Sequence, residues 1–263
     1  MSTRLDAALA ARGLARSRTH AASLIAEGRV AVDGAVVTKA AARVADDARI
    51  DVAVDHYVSR GAHKLIAALD GFGIDVAGRV ALDMGASTGG FTQVLRERGA
   101  RPVIAVDVGH DQLAAAVAAD PGVRSVEGFN VRHMTPESLA AASGVAEAPG
   151  VVTGDLSFIS LTHVLPAVAS VIRGDPDVVL LIKPQFEVGR GGIREGIVVD
   201  PGLRVTAVTD VLWAAHDAGL GCLGVLPSPL PGTRGNREVL AHLAPGRGRA
   251  PDAWAAEIAR ASS

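Results

Sequence analysis

Cysteine and aromatic residues are the scarce components of this 263-residue chain, which holds one Cys, two Trp, one Tyr and five Phe. The single thiol, Cys222, excludes a disulfide framework and any multi-cysteine metal site. His110, His133, His163 and His216 show no ligand spacing with acids or thiols, so no metal is expected. With so few rings, the core must be built largely from Ala, Val and Leu. Long apolar runs are missing too: Gly, Pro or a charge interrupts every stretch of eighteen residues, too polar for a membrane-spanning helix. The opening Met-Ser-Thr-Arg-Leu-Asp lacks the apolar stretch of a signal peptide. These absences set a cytoplasmic, monomeric protein without membrane contact as the expectation.

Charge is spread unevenly. The net charge is −2, yet residues 1–45 carry seven Lys or Arg against Asp6, Glu27 and Asp33, leaving +4 there and −6 in the remainder. A basic module ahead of an acidic body is the simplest reading. Within that module Leu5, Ala8 and Leu9 recur at helical spacing and Gly13 stands where a C-cap belongs. Ser17 is placed to cap a second helix carrying Ala21, Leu24 and Ile25 and stopped at Gly28. Two short strands follow about an Asp33-Gly34 turn, and a last strand is expected at Arg49-Ile-Asp-Val.

The richest segment is Val80-Ala-Leu-Asp-Met-Gly-Ala-Ser-Thr-Gly-Gly-Phe91, an apolar strand running into a glycine-rich loop and then a helix. Glycines there let the backbone turn sharply and let a ligand come close. Twenty-two residues after Gly85, a second apolar run ends in Asp107, where an acid can bind the two hydroxyls of a ribose. The loop is not G-x-G-x-x-G, and no P-loop motif occurs. Asp83 inside the motif suits a cationic nucleoside such as S-adenosyl-L-methionine better than a pyrophosphate. The cofactor candidates are Asp83, Gly85, Ala86, Ser87, Thr88, Gly89, Gly90, Phe91 and Asp107, with Asn130 as an adenine or ribose neighbour.

Strands and helices then alternate: strand 102–107, helix 110–119, strand 123–126, helix 135–142, strand 151–155, helix 160–172, strand 178–182, helix 203–218 and strand 221–226. This predicts an α/β, Rossmann-like sheet with helices on both faces. Asp155 and Lys183 end two of the strands, at the rim where such sheets bind ligands. Glu238 joins them if the final strand runs antiparallel. Lys64 lies in a helix opened by Ser59-Arg-Gly-Ala-His-Lys-Leu65, with Ser59 as its cap and the lysine pointing away from the apolar stripe. The expected domains are 1–54, a linker at 55–60, a catalytic domain at 61–246 and a C-terminal helix and tail at 247–263.

Residues 3–54 resemble the S4 RNA-binding domain, through R-L-D, G-L-A-R-S-R and L-I-x-x-G-x-V-x-V-D-G. Nearly the whole chain resembles the TlyA family of ribosomal RNA 2′-O-methyltransferases, an S4 domain joined to an FtsJ-like domain. S-R-G-A-H-K-L, D-x-G-A-S-T-G-G-F, A-V-D-V-G, D-L-S-F-I-S-L, K-P-Q-F-E-V-G and S-P-L-P-G-x-x-G-N-x-E occur in order. The resemblance implies S-adenosyl-L-methionine as cofactor, cytidine ribose in ribosomal RNA as substrate, and a Lys64-Asp155-Lys183-Glu238 tetrad. It also implies phosphate contacts by Arg4, Arg16, Arg18 and Arg29, although several of these can be ordinary surface arginines. A lysine whose pKa is lowered by a neighbouring cation can take the 2′-hydroxyl proton. Lys183 is assigned that role, Lys64 orients the hydroxyl, and the two acids hold the lysines.

Other readings fit less well. Asp155-Leu-Ser-Phe158 lacks the prolines of an amino-directed base methyltransferase motif, and carbon-5 pyrimidine methylation would need Cys222, which reads as a core residue. Family relatives often carry the haemolysin name, but a membrane-lytic protein has no use for the glycine loop. A non-catalytic RNA-binding module has no use for the tetrad. The Gly189–Gly196 loop is open to two readings, a lid over RNA or a mobile surface loop.

Overall fold

The computed structural model describes residues 2–26, 28–53 and 55–263. The chain divides into two compact units, Met1–His56 and Tyr57–Ser263; of the expected 55–60 linker and its Val54 start, Val54 lies outside the described residues.

The first unit contains β1 (Ser2–Arg4), α1 (Leu5–Ala11), α2 (Arg18–Ala26), β2 (Val30–Val32), β3 (Ala35–Val36), β4 (Arg43–Ala45) and β5 (Ile50–Val52). Helix α1 ends at Ala11, and Gly13 follows in a left-handed conformation. Ser17 Oγ accepts from the His20 N–H and starts α2, as the sequence suggests. Asp33 and Gly34 both take positive φ, 49° and 84°, the requirement of a two-residue hairpin turn whose twist matches its strands. Strand β2 pairs with β3 and β5, and the sequence reading missed a second, two-stranded sheet of β1 and β4. Three residues each are too few to display a period. Leu5, Leu9, Ile25, Val30 and Ile50 form the core of this unit.

The second unit opens with α3 (Gly61–Phe72), then β6 (Ala81–Met84), α4 (Gly90–Glu97), β7 (Val103–Val106), α5 (Ala115–Ala118), β8 (Val123–Val126), α6 (Pro136–Ser143) and β9 (Val151–Gly154). It continues with α7 (Leu165–Val171), β10 (Asp177–Ile182), α8 (Pro184–Glu187), α9 (Pro201–Asp217), β11 (Leu220–Pro227), β12 (Val239–Pro245) and α10 (Ala255–Ser262). Its seven strands run β11-β12-β10-β9-β6-β7-β8, parallel except for β12, which is antiparallel to both neighbours. Side chains alternate across the strands. Leu82, Met84, Ile104 and Leu180 pack with α7 and α9 residues such as Leu165 and Val208, whereas Ala81, Val103, Val179 and Leu181 pack with Leu65, Leu69, Val94 and Leu95 of α3 and α4.

Two expected helices are shorter than the periodicity indicates. The 110–119 segment is helical only over α5, because Asp111 takes a φ of 55° and interrupts the turn. The 160–172 segment splits into a 3-10 turn at Leu161–His163 and α7, since Pro166 has no N–H and is tolerated only in a helix's first turn. Ser59 does not cap α3. Arg60 occupies the N-cap position without a side-chain hydrogen bond, and Ser59 instead packs against Gly90. The expected C-terminal helix is α10, and it packs onto the domain. Arg249 bridges back to Cys222 on β11, and Ile258 and Ala261 of α10 join the main core.

The chain runs outward from β6 to β8 and then returns to β9 beside β6. That switch in direction opens a crevice at the carboxyl ends of β6 and β9.

Candidate functional site

The loop after β6 lies in that crevice. Gly85 has a φ of 77°, and a Cβ there would come within 3.1 Å of the Asp155 carbonyl oxygen. Gly89 caps α4 from a left-handed conformation, and Gly90 begins the helix. Asp83 is placed differently from the sequence expectation. It is fully buried, lines no cavity, and accepts hydrogen bonds from Thr92 Oγ1 (2.6 Å) and Thr153 Oγ1 (3.0 Å). Burial pushes its carboxyl up to about 6, partly offset by the two hydroxyls. Asp83 therefore ties the start of α4 to β6 and β9 beneath the loop rather than facing a ligand.

Two cavities adjoin the loop. The first, of about 530 Å³, is lined by Gly85, Ser87, Asp107 and Asn130, with Phe129, Val131, Leu156 and Ile159 as apolar wall. Asp107 accepts from the backbone N–H groups of Ser87 and Gly109, each at 2.8 Å, so the second strand's acid and the glycine loop hold one another. Asn130 accepts from the Arg132 N–H and caps a 3-10 turn. An acidic tip, a polar amide and a flat apolar wall suit a nucleoside.

The second cavity, of about 240 Å³, is lined by Gly85, Ala86, Ser87, Thr88, Gly90 and Phe91, and by Lys64, Asp155, Lys183 and Glu238. Gly89 lines neither cavity. Lys64 is not solvated: it is 5% exposed, and its Nζ lies 2.6 Å from Glu238 Oε2. Lys183 Nζ lies 2.7 Å from Asp155 Oδ1 and donates to Ser157 Oγ at 2.9 Å. The Asp155 contact is an ion pair without hydrogen-bond geometry, and the buried carboxylate oxygen that makes it has no other polar partner among the described residues. The antiparallel course of β12 brings Glu238 here. Val239 pairs with Ile182, so the preceding Glu238 arrives beside Lys183.

Sequence reasoning missed the groups that hold these four. A Cβ at Gly232 would collide with Glu238 Oε1. Asn236 donates to the Gly196 carbonyl (2.8 Å) and accepts from the Val198 N–H (3.1 Å), while Arg234 donates to the Glu195 carbonyl. The loop left open as lid or mobile segment is thus tied to the segment that carries Glu238. Glu187 accepts from Ser160 Oγ (2.5 Å) and the Leu161 N–H (3.0 Å), joining the segment after Asp155 to the one after Lys183; burial raises its carboxyl. The motif spacings P-G-x-x-G-N-x-E and K-P-Q-F-E held this information, but only a fold says which partners meet. Cys222 is buried in β11 and lines none of these cavities, and burial pushes its thiol up to about 11, so it is no nucleophile here.

Of the four arginines expected to meet RNA, Arg4 and Arg18 both grip Asp6, at 3.0 and 3.1 Å, holding its carboxyl well below the usual range. Arg29 donates twice to the Ala53 carbonyl and closes the hairpin module. Arg16 is exposed, with no side-chain partner among the described residues.

Sheet order, glycine loop and strand-tip acid define a Rossmann-like methyltransferase. A Listeria monocytogenes structure bearing the name of an S-adenosylmethionine dependent methyltransferase shares the fold, at a TM-score of 0.52 and 16% identity over 72% of this chain and 100% of that one. The FtsJ-like methyltransferase family model matches residues 57–244 and the S4 domain model residues 3–50, so the chain belongs to the FtsJ-like methyltransferases and carries an S4 domain. It is 49% identical over 239 residues to the 16S/23S rRNA (cytidine-2′-O)-methyltransferase TlyA of Mycobacterium tuberculosis, spanning 89% of this chain and 87% of the relative. A Streptococcus thermophilus structure bearing the hemolysin name aligns at a TM-score of 0.78 with 34% identity, covering 99% of this chain and 95% of that one. Among the described residues no helix is long and apolar enough to cross a membrane.

Proposed function

We propose that this protein methylates the 2′-hydroxyl of cytidine in ribosomal RNA, with S-adenosyl-L-methionine as donor, in the cytoplasm where ribosomal subunits are found. The observation that carries this reading is the meeting of the two cavities at Gly85, Ser87, Asp155 and Ser157. A nucleoside in the larger cavity, its ribose on Asp107 and its adenine against Phe129 and Leu156 beside Asn130, would direct its sulfonium end toward that junction. The acidic Asp107 fits the ribose of such a ligand. When bound, the cofactor supplies a methyl group already activated for transfer by its positive sulfur.

The chain's own residues do the remainder. Lys183 would accept the 2′-hydroxyl proton as the oxygen takes the methyl group that the cofactor would supply, the carbon–sulfur bonding pair being left on its sulfur. Proton removal of this kind contributes about 10²–10⁴ in rate. Lys64, held by Glu238, orients the oxygen and stabilises its developing charge. Asp155 and Ser157 fix the Lys183 side chain. The cleft would also hold the oxygen in line with the methyl, and such alignment is worth more than proton transfer.

The S4 unit supplies RNA contacts, with exposed Arg16 the foremost candidate; contacts by Arg4 and Arg18 would use guanidinium edges left free by Asp6. The test is ribose-methylation mapping of ribosomal subunits incubated with the protein and S-adenosylmethionine. New 2′-O-methylcytidine is the expected result. Methylation on a base, or none on RNA, would refute the assignment.

A further inference from the structure

A third cavity, of about 380 Å³, adjoins the one lined by the tetrad and shares Ser157, Lys183 and Glu238 with it. Its apolar wall is a pair of rings, Phe158 and Phe186, with centroids 5.2 Å apart. Phe158 is 92% exposed and sits at a φ of 64°, a conformation that a bulky side chain adopts at a cost. Flat, apolar and open, this wall suits a planar ring. Most polar side chains around the cavity are already committed. Asn236 is bonded to Gly196 and Val198, Arg234 to Glu195, and Lys183 to Asp155 and Ser157. Gln185 is the exception. Its amide nitrogen donates to Glu238 Oε1 at 3.4 Å, and its Oε1 is buried without a hydrogen-bond partner. The orientation of that amide follows from chemistry, because an ionised carboxylate only accepts and must face the NH₂ end. An acceptor without a partner is therefore left on a residue that lines a ring-sized cavity beside the reacting groups.

We infer that Gln185 Oε1 accepts a hydrogen bond from the exocyclic amino group of the target cytosine and so selects cytidine over uridine. This rests on the 2′-O-methylation reading above. Cytosine presents an NH₂ donor where uracil presents a carbonyl acceptor, so uracil would set two acceptors against each other in a buried place. Glu238 takes part indirectly: by engaging the Gln185 NH₂, it prevents the amide from turning round to suit uracil. One carboxylate thus fixes Lys64 on one oxygen and the Gln185 amide on the other.

The test uses ribosomal subunits methylated at the cytidine found by mapping and matched subunits carrying uridine at that position, with the full-length protein. Wild type should prefer cytidine by on the order of a hundredfold or more in kcat/KM, since sites built to satisfy a polar group reject analogues strongly. Gln185→Leu and the closer isostere Gln185→Met should bring that ratio to within a few-fold, mainly by slowing the cytidine reaction, with S-adenosylmethionine affinity unchanged. A general packing defect would slow both substrates equally and leave the ratio high. Either wild-type methylation of uridine as fast as cytidine, or retained preference in both variants, would overturn the role of Gln185. Wild type that methylates no ribose at all would instead overturn the parent reading.

Discussion

The two cavities that meet at Gly85 and Asp155 are assembled in opposite ways. The larger takes most of its lining from the loop and strand tip spanning residues 85–131, and only its far wall, at Asp155–Ile159, comes from further along. The smaller draws its tetrad from positions 64, 155, 183 and 238, with up to 174 residues between ion-pair partners. The larger cavity is walled mainly by apolar surface, with Asp107 held by backbone N–H groups and Asp155 shared with the smaller cavity. The smaller one buries two lysines and two acids in paired form. A contiguous segment can shape a binding pocket by local geometry, whereas buried charge needs distant partners to be tolerable.

That contrast can be broken most sharply at Lys183. Lys183→Ala should lower kcat by about 10²–10⁴ while leaving S-adenosylmethionine binding intact, as read by single-turnover rates and calorimetry. Lys183→Arg should fail as well, since a guanidinium stays protonated and cannot accept a proton. A nearly active Lys183→Arg enzyme would leave electrostatics alone to carry the step.

Next in size is the Lys64–Glu238 pair. Lys64→Met leaves a buried carboxylate unpaired and should cost about 3–5 kcal/mol in urea unfolding. The double variant Lys64→Met/Glu238→Leu should recover much of it. Additive losses would mean the two groups are not coupled.

Asp83 gives an effect of about 3 kcal/mol with a definite sign. Its carboxyl is raised from 3.8 to about 6, so the folded protein binds this proton more tightly than the unfolded chain. The associated stability is complete below about pH 4 and lost as pH rises through 6. Asp83→Asn should therefore gain on wild type by up to about 3 kcal/mol between pH 4 and 7, measured by denaturation at each pH. A pH-independent difference would show that Asp83 does not titrate in that window.

Asp107→Ala should weaken S-adenosylmethionine binding by about 1–3 kcal/mol. The loop contributes to that loss, because Asp107 also anchors the Ser87 and Gly109 amides. Unchanged affinity by calorimetry would move the ribose elsewhere. The smallest change is expected at Arg16. Its replacement by Ala should reduce the log-log salt dependence of RNA binding by about one unit, whereas Arg29→Ala should chiefly loosen the hairpin. Equal slopes for wild type and Arg16→Ala would mean that Arg16 meets no phosphate.

Legibility in the sequence followed the range of the interactions. The Asp33-Gly34 hairpin, the Ser17 cap and the Val80–Phe91 strand-loop-helix depend on neighbours a few residues apart, and each is present. The overlong helices at 110–119 and 160–172 are failures of the same local reading, where apolar periodicity outran a backbone broken at Asp111 and Pro166. Asp83 shows a different limit. Its place in the glycine motif suggested a ligand, but β6 turns alternate residues to opposite faces and directs this one under α4 toward Thr92 and Thr153.

Composition and motif order by themselves determined an α/β methyltransferase with a basic leading module and a nucleoside loop between Gly85 and Asp107, because strand period, turn chemistry and glycine placement are local properties. Only the tertiary structure decided that Lys64 belongs to Glu238 and Lys183 to Asp155, that Arg4 and Arg18 share Asp6, and that the Gln185 amide faces Glu238. The partnerships of Glu238 depend on the reversal of β12, and that of Lys183 with Asp155 on two parallel strands ending side by side. A charge taken out of water finds its partner wherever the fold brings one, whatever the distance along the chain.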